Sequence, residues 1–238
     1  GMSVRKTITT KAAGAAASAA APVAAPLVGR QLLDRAVEGF PGFPGAREVA
    51  RKHLERKRDV DAAVRSVTDL HVRLAGAQGF VTNLGGLAML PLTLPANITG
   101  LALLHARQVA AIAHLRGHDL DSPRVRAAVL VAVLGRNGVE EAISRRLLPG
   151  SPYEILGGTG PLPEGFLDKV SRLVLPPLTQ HVTGKRAALV VTRRIPVIGG
   201  GVGGAIDALT LHGVGRFAAE EFPVRMLVEI DAPPTAEP

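Results

Sequence analysis

FVTNLGGLAMLPLTLPANITGLALL, residues 80–104, carries no Lys, Arg, Asp or Glu, and the uncharged run around it extends from Ala75 to Ala106. A run of that length could cross a bilayer, which takes about 20 apolar residues in one helix. Gly85-Gly86, Pro91, Pro95 and Asn97 interrupt it. It therefore reads as two apolar helices, about Phe80–Leu90 and Pro95–Leu115, joined by the bend Leu90-Pro-Leu-Thr-Leu-Pro95. Pro95 suits the first turn of the second helix, where its missing donor costs nothing. A second apolar stretch, IPVIGGGVGGAIDALTL at residues 195–211, has Asp207 as its only charge. Its glycines at four-residue spacing allow helix backbones to approach closely.

The sequence around these stretches is helical as well. Ala46–Leu74 is dense in charge, and Val60, Val64, Val67, Leu70 or His71, and Leu74 recur at three- and four-residue steps, an amphipathic helical stripe. A break is expected between Glu55 and Asp61, where Asp59 can cap a second helix. Upstream of this stretch, Phe40-Pro-Gly-Phe-Pro-Gly45 is a doubled turn signal. Arg116-Gly117 stops the helix after Pro95, and Asp121 or Ser122 caps the next one with Pro123 at its first position. Arg124–Leu134 follows, then a short helix at Val139–Leu147 within a Gly-punctuated stretch. Another helix opens at Pro163-Glu-Gly-Phe166 and is stopped by Pro176-Pro177. Gly184–Thr192 reads as helical, and Val197–Phe222 as a long Gly-rich helix or hairpin.

The expectation is an all-α fold: one helical domain at 46–227 built of apolar helical hairpins and a Gly-rich close-packed helix. An Ala- and Pro-rich segment, helical or irregular, precedes it at 1–45, and an irregular acidic tail follows at 228–238. Arg5, Lys6 and Lys11 before the Ala-rich run resemble a secretory leader. Ala is weakly hydrophobic, however, and Pro22 and Pro26 cut the run, so no leader is expected.

Composition narrows the chemistry. Aromatics are 3% of the chain and Trp is absent, so the core is built from Ala, Leu, Val and Ile, and stacking-based recognition of nucleic acid is not expected. A formal charge of +8 favours anionic partners at long range. With no Cys there are no disulfides, thiolate metal sites or cysteine nucleophiles. The Gly199–Gly204 cluster lacks the Lys-Ser/Thr that a phosphate loop needs after its last glycine. His114 and His118 have metal-ligand spacing, but Gly117 ends the helix between them; no metal and no cofactor are expected. No Ser stands in a Gly-x-Ser-x-Gly turn, so no catalytic residue is assigned.

Asp207 is expensive to bury alone. Its candidate partners are Arg193, Arg194, Arg216, His105 and His114, in a polar anchor that fixes helix register or, alternatively, in a ligand site. The candidate ligand-binding set is Phe80, Asn83, Leu87, Leu90, Asn97, Leu101, His105, Ile198, Val202 and Asp207. Lys185, Arg186, Arg193 and Arg194 precede the second apolar stretch and suit contact with anionic head groups.

Three ordered blocks resemble the EcsC family of bacterial proteins, which is associated with an ABC transporter. They are Gly79-Phe80 through Gly85-Gly86 to Leu94-Pro95-Ala96; His114 through Arg126 leading into Val129–Gly135; and Ile195-Pro-Val-Ile-Gly199 with Gly203-Gly204 and Asp207. The resemblance implies a role near transport or secretion functions and supplies no catalytic residues. The resulting expectation is a non-enzymatic protein that binds a lipid or other amphipathic ligand, or that associates peripherally with the inner face of the membrane from the cytoplasm. Two alternatives stand beside it: a structural or partner-binding accessory of a transport system, and a hydrolase-like enzyme using Asp207 and a His.

Overall fold

The computed structural model describes residues 27–83, 100–180 and 199–225, and within them the side chains of 27–76, 100–176 and 209–225. The described chain is helical apart from one small hairpin. Helix α1 spans 27–38 and buries pairs of neighbours one turn apart, Leu32 with Leu33 and Ala36 with Val37. It crosses α8 (Phe166–Gln180) at Gly29, where an added Cβ would lie 2.2 Å from Ser171 Oγ.

The doubled Pro-Gly signal forms the hairpin. Strands β1 (Gly39–Phe40) and β2 (Phe43–Pro44) pair antiparallel around Pro41-Gly42, with Gly42 at φ 83°. Proline at the first central position and a left-handed glycine at the second define a type II turn. Phe40 and Phe43 stack with ring centroids 5.0 Å apart.

Helix α2 (Ala46–Lys57) closes at Arg58, which takes φ 54°. Asp59 then caps α3 (Val60–Asn83), its Oδ1 accepting from Ala62 N–H at 2.6 Å. The break expected between Glu55 and Asp61 is therefore present. The expected separation of an amphipathic helix ending near Leu74 from an apolar one at Phe80–Leu90 is not: α3 runs unbroken through Gly76 and Gly79 to Asn83. A helical glycine costs only about 1 kcal/mol relative to alanine, too little to end a helix that tertiary packing supports.

Helix α4 (Gly100–Leu115) ends as the sequence indicates. Gly117 lies at φ 84°, its N–H donates to His114 O, and His118 N–H donates to Ala113 O, a Schellman motif. Ser122 and Pro123 open α5 (Pro123–Ala132). Helix α6 spans Gly135–Ser144 rather than Val139–Leu147, because Gly135 at φ 71° turns the chain directly from α5 into it. Within the Gly-punctuated stretch, Ser151 and Glu154 form a capping box on a further short helix, α7 (Pro152–Gly157).

Helix α8 was expected to stop at Pro176-Pro177 and instead continues to Gln180. The prolines remove two backbone donors near its C-terminal end without terminating it. Gly199–Glu221 forms one helix, α9, not a hairpin. The segments 1–26, 84–99, 181–198 and 226–238 lie outside the described residues, and with them the expected features at Gly85–Asn97, Gly184–Thr192, the tail and all but the last two residues of the Ala-rich run at 12–28.

Helices α3, α4 and α9 form the centre, and α3 with α9 is the most extensive pairing. Asp61 pairs with Arg116, and His71 meets Arg107, so α3 and α4 are antiparallel. Gln108 bonds Leu211 O, and Arg225 N–H donates to Arg116 O, so α9 runs parallel to α4. Gly215 sits where α9 crosses both neighbours: a Cβ there would lie 2.3 Å from Gln108 Nε2 and 2.7 Å from Thr68 Oγ1. These directions bring the end of α3 and the beginnings of α4 and α9 to the same end of the bundle.

Candidate functional site

Just beneath that end lies a small apolar cluster of Ala75, Leu104 and Leu211, packed by Phe43, Val72, Leu74 and Leu101. The main core forms a separate cluster that includes Val67 of α3 and Val109 and Ile112 of α4. Between the two, on the facing sides of the central helices, is a layer of buried polar side chains: Thr68 and His71 of α3, and His105, Arg107 and Gln108 of α4.

Arg107 is the unusual member, a guanidinium only 2% exposed. Among the described residues it has no carboxylate partner. Its ligands are neutral. Nε donates to His71 Nε2 at 3.0 Å, Nη1 donates to Pro44 O at 3.1 Å, and the guanidinium carbon lies 3.9 Å from the Phe43 ring centroid. This one side chain therefore ties α4 to α3 and to the hairpin. Burial lowers its pKa to about 10, which still leaves it protonated at neutral pH.

The arrangement fixes the state of His71. Arginine can only donate, so His71 Nε2 accepts and the ring proton sits on Nδ1, which donates to Val67 O at 2.8 Å. Burial, then the Arg107 charge, push the His71 pKa down to about 3. His71 is a neutral acceptor across the physiological range and unsuited to proton transfer near neutrality. His53 lies nearby, its Nδ1 2.8 Å from Ser66 Oγ, with its pKa lowered by burial and then by Arg56, Lys57 and Arg73.

Of the candidate ligand-binding set, Leu101 and His105 have described side chains. Leu101 is half-buried against the small apolar cluster and His105 is buried in the polar layer. Phe80 and Asn83 lie on the last turns of α3, and Val202 and Asp207 on the first half of α9; their side chains are outside the described residues. Leu87, Leu90, Asn97, Ile198, Lys185, Arg186, Arg193 and Arg194 lie wholly outside them.

Arg216, one candidate partner of Asp207, is exposed on α9. His118 Nε2 donates to Pro223 O at 2.8 Å, fastening the chain after α9 to the turn after α4. Among the described residues no three His, Asp or Glu side chains are grouped as metal ligands.

Sequence reasoning missed Arg107, His71 as its acceptor, and Phe43. A signal was present: Arg107 is the first charge after the uncharged run and stands in the apolar stretch Leu101–Leu115. What could not be read is that its acceptors come from a histidine and a carbonyl distant in sequence. No protein-family profile, curated protein or solved structure matches this chain.

Proposed function

We propose that this protein is a non-catalytic, lipid-associating helical bundle that docks peripherally on a membrane by one end. The observation carrying this reading is the common placement of the end of α3 and the beginnings of α4 and α9. The uncharged stretch 84–99 joins the first two of these, and Ile195–Ile198 leads into the third, preceded by Lys185, Arg186, Arg193 and Arg194. Apolar sequence beside clustered cations is the chemistry of a segment that rests at an anionic lipid surface. Among the described residues no helix is long and apolar enough to cross a membrane, which fits docking better than insertion of those helices. The resemblance to EcsC proteins agrees with a place beside a transporter on the inner membrane face.

Vesicle binding tests this. The chain has no Trp, so a Leu87→Trp variant provides a single reporter. Its emission should shift to the blue on vesicles of phosphatidylcholine containing phosphatidylglycerol, and the shift should weaken with added salt. Replacing Arg193 and Arg194 with Gln should cost about 2 kcal/mol of partitioning, a factor of about 30. Unchanged emission and no cosedimentation with anionic vesicles at low salt would overturn the reading. A partner-binding accessory of a transport system would then be the better account.

A further inference from the structure

The flank of α9 carries a feature separate from the docking end. Because Gly135 turns α5 directly into α6, the start of α6 lies beside the outer face of α9 and leaves an open cleft of about 480 Å³. That size falls within the range of small-molecule sites, about 300–1,000 Å³. Leu134, Val214 and Phe217 form its apolar floor, and Arg136, His212 and Arg216 stand around it. At the upper edge Leu209 is 73% exposed, a large apolar side chain facing water. Gly213 leaves the wall bare, since nothing lies within 4 Å of where its Cβ would be.

The charges are arranged unevenly. Arg136 pairs with Glu220 and lies 5.2 Å from the Phe217 ring centroid, which holds its guanidinium over the floor. Glu220 is one turn beyond Arg216, the spacing of a helical ion pair, yet it is engaged by Arg136 instead. Among the described residues no carboxylate neutralises Arg216 at the rim. A second cleft, between α7 and α8, differs: Arg124 there donates to Ile155 O at 2.8 Å and Gly160 O at 2.5 Å, so its guanidinium closes a loop.

We propose that the α6–α9 cleft binds an amphiphile with a phosphate headgroup. The anion sits at Arg216, on the side of the cleft away from the Arg136–Glu220 pair's shared charge, and the alkyl chain lies along Leu209, Leu134 and Phe217. Phosphate is favoured because the Arg216 guanidinium, which has no ion pair among the described residues, can donate to several of its acceptor oxygens. The apolar floor gives the alkyl chain a surface that a free anion would not use. This site goes beyond the docking end and does not depend on it.

The test is titration of the full, isotope-labelled chain with decyl phosphate below its micelle concentration, following the amides of Gly135 and Gly213. Saturable shifts of both are expected, with binding about tenfold weaker in Arg216→Gln; the position is exposed, so the far-ultraviolet circular dichroism of the variant should match that of the parent. Inorganic phosphate and decanol should each bind at least about tenfold more weakly than decyl phosphate. Equal binding of inorganic phosphate would leave a plain anion site, and equal binding of decanol a plain apolar one; either overturns the proposal, as do shifts confined elsewhere or unchanged affinity in Arg216→Gln. Vesicle docking through the bundle end should persist in Arg216→Gln, so failure of one proposal is distinguishable from failure of the other.

Discussion

Replacing Arg107 with methionine probes the polar layer most directly, because methionine keeps an unbranched stem and removes only the charge and its donors. Burial lowers the Arg107 pKa from its ordinary value to about 10, so holding the cation there costs about 3 kcal/mol, a cost the variant escapes. Against this, His71 Nε2 and Pro44 O lose their donor, at about 1–3 kcal/mol each, and the Phe43 ring loses a cation worth about 1–2 kcal/mol. The net expectation is destabilisation of about 2 kcal/mol. His71→Leu alone should cost more, about 3 kcal/mol, because it strips a ligand from a buried charge. The double variant replaces donor and acceptor together and should lie within about 1 kcal/mol of the parent. Urea denaturation followed by circular dichroism measures all four corners of this cycle. If the two single losses simply add in the double variant, the neutral-ligand account of Arg107 is wrong.

Other expectations follow from single sites. His71 has a folded pKa of about 3 and an unfolded value near 6.5, so the unfolded chain binds more protons between those limits. Its contribution is fully present above pH 6.5 and is lost at about 1.4 kcal/mol per pH unit as pH falls toward 3; the slope of urea stability against pH should shrink by that amount in His71→Leu. Gly215→Ala forces a Cβ to within 2.3 Å of Gln108 Nε2 and should cost about 1–3 kcal/mol by thermal or urea melting. An alanine at exposed Gly213, where a Cβ meets nothing, should be neutral or slightly stabilising. Asp59→Ala removes the cap of α3 and should cost about 1 kcal/mol, with faster amide exchange at Ala62.

What could be read from sequence was what local chemistry decides. The Asp59 cap, the Gly117 stop and Pro123 at the start of α5 each depend on a few neighbouring residues, and each stands where it was expected. The capping box at Ser151 and Glu154 was equally local and went unread, because the surrounding glycines suggested irregular chain. Helix continuity was harder. Gly76 and Gly79 within α3, and Pro176-Pro177 within α8, weaken a helix locally, and only packing against neighbours decides whether it continues. The candidate site divides in the same way: His105 and Leu101 were legible as polar and apolar positions at the edge of an uncharged run. The pairing of Arg107 with a neutral histidine and a hairpin carbonyl depends on helix direction and register, which no single segment encodes.

The neutral ligation of Arg107 also bears on how this chain can drift. A salt bridge tolerates exchange of one carboxylate for another; here the carbonyl is backbone and survives substitution, but the imidazole acceptor and the aromatic face have few substitutes. Loss of His71 strands a charge, and loss of Arg107 strands an acceptor. Lineages descending from a common ancestor with this layer should therefore keep positions 43, 71 and 107 together or replace them together, passing through few intermediates. The three positions form a heritable unit, and paired change at them, rather than overall resemblance, would identify remote kin.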